Sequence, residues 1–316
     1  MNIVTKNESP ENIINISIVI PVFNSEKILS ELCNQIENSL EALTFELILI
    51  NDQSKDRSWE KIKELSVNKS YIKGINLRKN SGQDNAIFAG IQTAIGKYIV
   101  IMDDDLQHSP SDIPSLYNQI EQGFDVCYAN FQRKKQALWK NLGSWLNGKL
   151  AEVIIQKPKN IYLSPFKIIR KSIIEEVVKT NYLYPYIDGI LFSITNNITQ
   201  IEVKHNERHS GESNYTLFES IKVFLKLATG FSIFPLRLAS IGGAIISLIG
   251  FLLSFYYIVE YFIFKSSPEG FTTIIVVLLI LGGVVLMSLG ILGEYLGRIY
   301  LSINKNKSFS VKETTY

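Results

Sequence analysis

Cysteine is scarce in this sequence, which has two, Cys33 and Cys127, among its 316 residues. No Cys-x-x-Cys pair occurs, so we expect neither a disulfide framework nor a zinc site, and a reducing, cytosolic setting fits. An excess of one charge is also absent, because 32 Lys and Arg stand against 30 Asp and Glu. This balance gives no electrostatic reason to expect a nucleic-acid partner.

Two familiar nucleotide-binding motifs are missing as well. No G-x-G-x-x-G follows the first predicted strand and no G-x-x-x-x-G-K-[S/T] occurs, which argues against a dinucleotide dehydrogenase and a P-loop enzyme. Residues 1–15 form a polar N-terminal tail with Lys6, Glu8 and Glu11, so they do not resemble a secretory signal.

Long hydrophobic runs occur near the other end, at residues 238–264 and 271–292. Each is long enough to cross a bilayer, for which a helix needs about 20 mainly apolar residues. The short link between them predicts an antiparallel transmembrane hairpin, which we place at residues 236–300; a buried hairpin of a soluble protein is the alternative.

The charges around these runs predict their orientation. Lys and Arg flank the pair of runs, whereas the link holds Lys265 alone, so both termini are predicted to face the cytoplasm, including a C-terminal tail at residues 301–316. The predicted location is therefore the cytoplasmic (inner) membrane, as a multi-pass protein.

An amphipathic stretch precedes the hydrophobic runs. Residues 215–228 place apolar side chains on one helical face and Glu219, Lys222 and Lys226 elsewhere. We therefore predict an interfacial juxtamembrane segment at residues 211–235, with its lysines towards anionic headgroups. A helix packed on the soluble domain is the alternative.

Residues 16–210 alternate between short β-branched runs and stretches with helical spacing. The predicted strands are residues 16–22, 45–50, 72–77 and 98–102, and helical stretches include residues 28–43 and 85–95. This alternation is typical of βαβ units around a parallel sheet. Polar residues follow each strand, and ligands of such sheets bind outside the carboxyl ends of the strands, so these loops predict one pocket.

The last of these loops carries the run Asp103-Asp104-Asp105-Leu106-Gln107. Adjacent carboxylates at the end of a buried strand repel one another, so the run favours a site for a hard divalent cation and a phosphate. An acidic turn that starts the next helix, capped by Ser109 or Ser111, is the alternative.

Six motifs occur in an order that is specific for one family. They are Ile20-Pro21-Val22-Phe23-Asn24, Asn51-Asp52-x-Ser54-x-Asp56, Asn80-x-Gly82-Gln83, the Asp103–Gln107 run, Glu207-Arg208-x-x-Gly211-x-Ser213-x-Tyr215 and Gly293-Glu294-Tyr295-Leu296-Gly297-Arg298-Ile299-Tyr300. On these motifs the chain resembles the family 2 glycosyltransferases of the GT-A fold. More narrowly, it resembles the membrane-anchored polyprenyl-phosphate glycosyltransferases, which include dolichol-phosphate mannose synthase and the undecaprenyl-phosphate aminoarabinose and glucose transferases.

The resemblance covers nearly all of residues 16–310 and implies an α/β GT-A catalytic domain at residues 16–210. Its sheet is expected to be Rossmann-like and mostly parallel, followed by the interfacial helix and the two-helix transmembrane hairpin. The implied pathway class is cell-envelope glycan biosynthesis, and a homo-oligomer is compatible with the sequence.

The resemblance also implies which residues bind a nucleotide-sugar donor. These are Pro21, Phe23, Glu26, Asp52, Gly82, Gln83 and Asp103. Asp52 would accept a hydrogen bond from the base, which favours uracil, although Asp at a strand end also forms turns. For Asp56 we favour a structural role as helix cap.

A metal site is implied at Asp103, Asp105 and Gln107, with Mg²⁺ or Mn²⁺ bridging carboxylate and phosphate oxygens. Asp104 occupies a position where relatives more often carry a small residue. For His108 a local hydrogen-bonding role is at least as strong an interpretation as a functional one.

The phosphate of the lipid acceptor is expected to meet Arg133, Lys140, Ser144 and Arg208, by resemblance. Lys134 and Lys135 are interpreted as solvated charges. Together with Asp103 and Asp105, the residues Arg133, Lys140 and Arg208 are the predicted catalytic set. Whether Arg208 serves the donor or the acceptor is open.

One departure from the family concerns Ser164-Pro165, which stand where many relatives have a carboxylate ahead of a Phe-[Arg/Lys] pair. A phosphate monoester is already anionic at neutral pH, so transfer to it needs no general base. Asp188 is the nearby candidate for a substitute carboxylate.

The sequence thus predicts an inverting transfer of one sugar, from a nucleotide-diphosphate sugar that is expected to be UDP-linked, to a polyprenyl phosphate such as undecaprenyl phosphate at the cytoplasmic face. Two alternatives are a processive polysaccharide synthase, whose Gln-x-x-Arg-Trp motif is absent, and a catalytically degenerate membrane scaffold. The identity of the sugar is not encoded in any motif above.

Overall fold

A computed structural model describes residues 14–131, 157–179, 185–203, 234–264, 270–303 and 308–316. The chain divides into two compact units. The first comprises residues 1–214 together with 307–316, and the second comprises residues 215–306.

The first unit is built on an eight-stranded mixed sheet with the strand order β7-β5-β6-β4-β1-β2-β3-β8. The strands are β1 Ile16–Val22, β2 Phe45–Asn51, β3 Ile72–Leu77, β4 Tyr98–Ile101, β5 Val126–Phe131, β6 Lys167–Arg170, β7 Ile198–Val203 and β8 Val311–Thr314. The predicted strands at 16–22 and 72–77 are confirmed at both ends, and those at 45–50 and 98–102 within one residue.

Helices connect and cover these strands. They are α1 Leu29–Ser39, α2 Ser58–Asn68, α3 Gln83–Ile91, α4 Ile113–Ile120, α5 Lys171–Lys179 and α6 Ile187–Ile194. In α1 the apolar residues Leu29, Leu32, Cys33 and Ile36 recur at helical spacing and are buried. This stripe packs on the sheet, whose β1 is buried along its whole length.

The strand order fixes where a ligand can bind. β1 lies at the centre and pairs in parallel with β2 on one side and β4 on the other. The chain passes from β1 to β2 and β3 and then crosses to β4 on the opposite side of β1. Such a switch point opens a crevice at the carboxyl ends of β1 and β4, which is where α/β sheets bind ligands.

The strand β8 was not predicted. Residues 301–316 are predicted above as a tail, but Val311–Thr314 pair antiparallel with β3 and form one edge of the sheet. Backbone contacts extend the pairing, because the Arg78 N–H donates to the Ser310 carbonyl at 2.8 Å. The exposed sequence of β8 carries no hydrophobic alternation, so its pattern gives no strand signal.

The second unit contains two long helices, α7 Phe234–Phe264 and α8 Phe271–Ile303. Among the described residues, one helical window, Ile280–Gly297, is long and apolar enough to cross a membrane, and none of it is buried inside the molecule. The predicted transmembrane hairpin therefore stays a prediction, with one candidate span among the described residues. Residues 211–233 of the predicted interfacial segment lie outside the described residues.

Candidate active site

Four polar loops meet at the carboxyl ends of β1, β2, β3 and β4, as the sequence predicted for one pocket. Within the described residues, the non-glycine residues with positive φ all lie in these loops: Asn24 at 57°, Gln53 at 55° and Leu106 at 59°. A left-handed conformation is costly for Gln and Leu, so the surrounding contacts must hold it. Such strain is concentrated at functional sites in many proteins.

The loop after β1 (residues 23–28), which we call the nucleoside loop after the role predicted for it, is hydrogen-bonded to the loop after β2. The Asn24 N–H donates to Ser54 Oγ at 2.9 Å, and the Asn24 side chain accepts from the Lys55 N–H at 2.8 Å. The Ser25 N–H donates to Ser58 Oγ at 2.9 Å. These bonds join the two loops into one rigid rim.

Asp56 is predicted above as the cap of α2, but the N-cap position belongs to Arg57, and Asp56 stands one residue before it. Its carboxylate accepts hydrogen bonds from the Ser58 N–H at 3.0 Å, at the start of α2, and from the Glu26 N–H at 3.1 Å. Burial acts to raise the pKa of Asp56, but the hydrogen bonds from Ser58 and Glu26 outweigh it and hold that pKa below its ordinary value. Asp56 therefore stabilises the start of α2 as a carboxylate and also anchors the nucleoside loop.

Asp52 fastens the loop after β3. One carboxylate oxygen accepts from the Ser81 N–H at 2.7 Å and the other from the Gly82 N–H at 2.9 Å. The Asp52 residue is 4 % exposed, and Gly82 has a φ of 88° that favours glycine. The turn-forming interpretation of Asp52 thus has direct structural support, and its contact with a base stays a prediction.

The other predicted donor residues differ in exposure. Pro21 is buried within β1, whereas the Phe23 side chain is 47 % exposed at the mouth of the crevice. Glu26 accepts from the Arg57 N–H at 3.3 Å. Gln83, the first residue of α3, donates from Nε2 to Asp103 Oδ1 at 2.6 Å and links the loops after β3 and β4.

The three aspartates after β4 make different contacts. Asp103 accepts from Gln83, and Asp105 Oδ1 accepts from the Gln107 N–H at 3.1 Å. Asp104 turns to the nucleoside loop, where its Oδ2 accepts from the Phe23 N–H at 3.2 Å and from Ser25 Oγ at 2.5 Å. Burial raises the pKa of Asp104 above its usual range, although both hydrogen bonds oppose the shift.

The donor chemistry at this loop fits a hard divalent cation. In the part of the chain that the structure describes, no three His, Cys, Asp or Glu side chains form a metal-binding group. Mg²⁺-type sites combine one or two carboxylates with substrate phosphates rather than using a complete protein cage. Asp103 and Asp105 are the two carboxylates predicted for such a site, with the Gln107 side chain following them in the same loop.

His108 contacts the same loop through its ring nitrogen and packs against two phenylalanine rings. Its ring stacks between Phe131 and Phe166, with ring centroids 5.3 Å away on each side. Its Nδ1 accepts from the Asp103 N–H at 3.2 Å, which requires that this nitrogen carry no proton. His108 is 4 % exposed, so the local hydrogen-bonding role is the one that the structure displays.

The departure at Ser164-Pro165 is accommodated as a turn. Ser164 is buried, and its Oγ accepts from the Phe166 N–H at 3.1 Å. Phe166 is one of the two rings that hold His108. Ser164 therefore stabilises the backbone that carries Phe166, which in turn packs on His108 of the loop after β4.

Asp188 is occupied by two donors. Its Oδ1 accepts from Tyr128 Oη at 2.8 Å and forms a buried ion pair with Lys167 Nζ. Burial and the charge of Asp188 raise the pKa of Tyr128 well above its usual value, so the phenol remains a donor. Lys167 and Tyr128 engage this carboxylate within the fold, which argues for a structural role of Asp188 and against its use as a substitute for the missing carboxylate.

The predicted acceptor residues Arg133, Lys140, Ser144 and Arg208 lie outside the described residues, as do Lys134 and Lys135. Ser25 and Ser58 are not among the predicted residues, and Ser54 is named above only as part of a motif, but all three carry contacts between the first two loops. Their signal was present, because serines clustered after strand ends favour side-chain bonds to neighbouring backbone groups.

Comparisons with known proteins identify the family of this chain. Residues 17–178 match the family described as Glycosyl transferase family 2. The undecaprenyl-phosphate 4-deoxy-4-formamido-L-arabinose transferase of Aeromonas hydrophila subsp. hydrophila is 32 % identical over 307 residues, covering 94 % of this chain and 93 % of that protein. The uncharacterized glycosyltransferase YkcC of Bacillus subtilis is 32 % identical over 287 residues, covering 90 % and 89 %.

Among solved structures, glucosyl-3-phosphoglycerate synthase from Mycobacterium tuberculosis, in complex with Mn²⁺ and UDP-glucose, matches with a TM-score of 0.48 and 15 % identity, covering 68 % of this chain and 77 % of that one. A likeness this low carries no functional argument. The family match and the full-length relatives do, and they show that the chain is an enzyme that belongs to glycosyl transferase family 2.

Proposed function

We propose that this glycosyltransferase moves one sugar from a UDP-sugar to undecaprenyl phosphate, or a similar polyprenyl phosphate, at the cytoplasmic face of the membrane. The observation that carries the proposal is the convergence of the four strand-end loops on the β1/β4 crevice, with Asp103 and Asp105 at its edge. Relatives of nearly equal length are named for transfer to undecaprenyl phosphate, which supports the acceptor class.

The donor would lie across the crevice. The exposed ring of Phe23 offers a face for a uracil base, and the rim that Asp56 and Ser58 stabilise holds that ring in place. The diphosphate would extend towards the loop after β4. Asp103, Asp105 and Gln107 would hold Mg²⁺ or Mn²⁺, which would offset the negative charge that develops on the departing nucleoside diphosphate.

The reaction itself is a displacement at the anomeric carbon. An oxygen of the acceptor phosphate forms the new bond while the bond to the UDP oxygen breaks, and attack from the opposite face inverts the configuration. The acceptor oxygen is already anionic because the second pKa of a phosphate monoester is about 6. The absence of a carboxylate at Ser164-Pro165 and the occupied state of Asp188 are compatible with this chemistry. Catalysis then depends on positioning and electrostatics.

The acceptor side is assigned by resemblance. Arg133, Lys140, Ser144 and Arg208 would bind the lipid phosphate, and the cations would orient it for attack. We propose that α7 and α8 form the transmembrane hairpin, with both termini and the catalytic unit in the cytoplasm. The excess of Lys and Arg outside the two apolar runs supports this orientation.

The test uses the purified full-length protein in detergent, with undecaprenyl phosphate and a panel of UDP-sugars that includes the 4-deoxy-4-formamido-L-arabinose derivative. We expect one sugar per lipid by mass spectrometry, and we expect activity to disappear on chelation and return with Mn²⁺. Polymeric product would instead indicate a processive synthase. Failure of every nucleotide sugar to bind in calorimetry would favour the scaffold alternative.

Asp105→Ala is the decisive variant. We expect loss of at least a hundredfold in metal-dependent transfer, because one of two carboxylate ligands is gone. Asp125→Ala is the matched control, since Asp125 directly precedes β5, at the end of the strands opposite the site, and pairs with Arg170. Full activity in Asp105→Ala, with both variants folded by circular dichroism, would contradict the metal assignment.

A further inference from the structure

The four loops of the site are joined in a closed ring of side-chain contacts. The nucleoside loop is bound to the loop after β2 through Ser54 and Ser58. Asp52 binds the loop after β2 to the loop after β3, and Gln83 continues the ring to Asp103. The remaining link runs from the loop after β4 back to the nucleoside loop, and Asp104 makes it.

This link crosses the crevice that the switch in strand order creates. β1 and β4 are neighbours in the sheet, but their connections leave in opposite directions, so nothing in the chain path itself ties their loops together. Asp104 bridges them with one carboxylate oxygen, which accepts from the Phe23 N–H at 3.2 Å and from Ser25 Oγ at 2.5 Å.

The two donors flank a strained residue. Asn24, between Phe23 and Ser25, has a φ of 57°. A left-handed residue keeps its conformation when its neighbours are held, and Asp104 holds both of them. The Phe23 ring, exposed beside the crevice, takes its orientation from this same backbone.

We propose that Asp104 is a positioning residue that fixes the nucleoside loop against the loop after β4, and that it is not a metal ligand. Asp103 and Asp105 then bind the cation that holds the diphosphate. Asp104, between them, sets the distance from the two carboxylates to Phe23. The functional meaning of the two loops rests on the proposed UDP-sugar donor, whereas the link itself does not.

The first experiment tests the link without any ligand. Hydrogen exchange is measured by mass spectrometry on full-length protein in detergent, on peptides that cover residues 21–26. In Asp104→Ala we expect exchange in this segment to accelerate about tenfold or more, since the acceptor of both hydrogen bonds is lost. Asp104→Asn retains an acceptor oxygen and should keep exchange within about threefold of the wild-type rate.

Exchange at residues 72–78 serves as the internal control, because this strand is remote from Asp104. Unchanged exchange at residues 21–26 in Asp104→Ala would overturn the proposal. So would equal acceleration in Asp104→Ala and Asp104→Asn, because it would assign the effect to the lost charge rather than to the bond. Ser25→Ala, which removes one of the two donors, should give a smaller acceleration than Asp104→Ala.

The second experiment separates positioning from metal binding. Calorimetry with UMP in the absence of metal should show about tenfold weaker binding in Asp104→Ala and near-normal binding in Asp104→Asn. Titration of Mn²⁺ into the UDP complex should show that Asp104→Asn keeps its Mn²⁺ affinity while Asp105→Asn loses it. Loss of Mn²⁺ affinity in Asp104→Asn with normal UMP binding would identify Asp104 as a ligand and reject the proposal.

The two experiments also distinguish failure of the proposed function from failure of the positioning role of Asp104. If wild-type protein binds neither UMP nor UDP, the proposed function fails, and the exchange experiment still decides whether Asp104 holds the nucleoside loop. If nucleotides bind and the exchange rates do not respond to Asp104→Ala, the proposed function stands and the positioning role fails.

Discussion

Glu46 is the second residue of β2, at the end of the strands opposite the site, and is 1 % exposed. Its carboxylate accepts from Ser17 Oγ at 2.5 Å and from the Ile95 N–H at 2.8 Å, and it pairs with Lys73 Nζ at 2.7 Å. These contacts join the starts of β1, β2 and β3 with the segment before β4. A buried charge that is paired and hydrogen-bonded in this way specifies the alignment of the strands.

We predict that Glu46→Ala lowers stability without weakening nucleotide binding. The change leaves Lys73 and two other donors without their acceptor, which typically costs about 3 kcal/mol. For a unit of this size the midpoint of thermal unfolding should fall by about 6–12 °C. An unchanged midpoint of unfolding would contradict this role of Glu46. A large loss of UDP affinity would show that the two ends of the strands are energetically coupled.

The two cysteines provide a second prediction for single residues. Burial raises the pKa of the Cys33 thiol to about 11 and that of the Cys127 thiol to about 12. The reactive thiolate is therefore almost absent at pH 8 in the folded protein. We expect no reaction with Ellman's reagent in native protein and reaction of both thiols in guanidinium chloride. Fast labelling of either thiol in native protein would mean that the sheet opens locally.

At the scale of elements, β8 is a strand that belongs to the first unit although it follows the second along the chain. The side chains of β8 are exposed, so it contributes through its backbone and through Glu313 and Thr315. Glu313 accepts from Asn76 Nδ2 at 3.0 Å, and Thr315 Oγ1 accepts from the Gly74 N–H at 2.8 Å.

We predict that deletion of residues 308–316 destabilises the catalytic unit. β3 would become an unpaired edge, so amide exchange at residues 72–78 should accelerate and aggregation should increase. Lys312→Ala is the control, because it alters an exposed side chain and leaves the backbone pairing in place. Equal exchange at β3 with and without these residues would contradict the prediction.

The sequence predicted the central strands well because each is a buried run with a clear β-branched pattern. It did not predict β6, in which a buried lysine, Lys167, occupies the first position and pairs with Asp188. A lysine at a strand start carries no hydrophobic signal, and its partner becomes a neighbour through folding. The helices α1 and α3 are shorter than predicted, since helical periodicity extends past the residues that end a helix.

For the site, the positions of the loops were predictable and the roles of neighbouring aspartates were not. Polar residues after four strand ends predict a common pocket from topology alone. Asp103 and Asp104, however, are identical in type and contact different loops, Asp103 towards Gln83 and Asp104 towards Phe23. That difference depends on backbone directions in a loop with a left-handed Leu106, which no sequence pattern specifies.

At the scale of the whole molecule, the long helices present large apolar side chains to their surroundings. Phe262 of α7 is 77 % exposed and Met287 of α8 is 70 % exposed. Soluble monomers rarely expose apolar patches of more than a few hundred Å². We predict that the protein sediments with membranes, resists extraction by alkaline carbonate and is released by detergent. Recovery of folded protein from the soluble fraction would contradict a membrane-spanning role for α8.

The place of β8 in the chain has a consequence for biosynthesis. A ribosome makes β3 early, and the strand that covers its edge emerges after residues 215–306 have been synthesised. Until then the nascent catalytic unit exposes an open strand edge, which is prone to pair with other chains. The last strand can dock once residues 215–306 have left the ribosome, so completion of this sheet follows synthesis of the second unit.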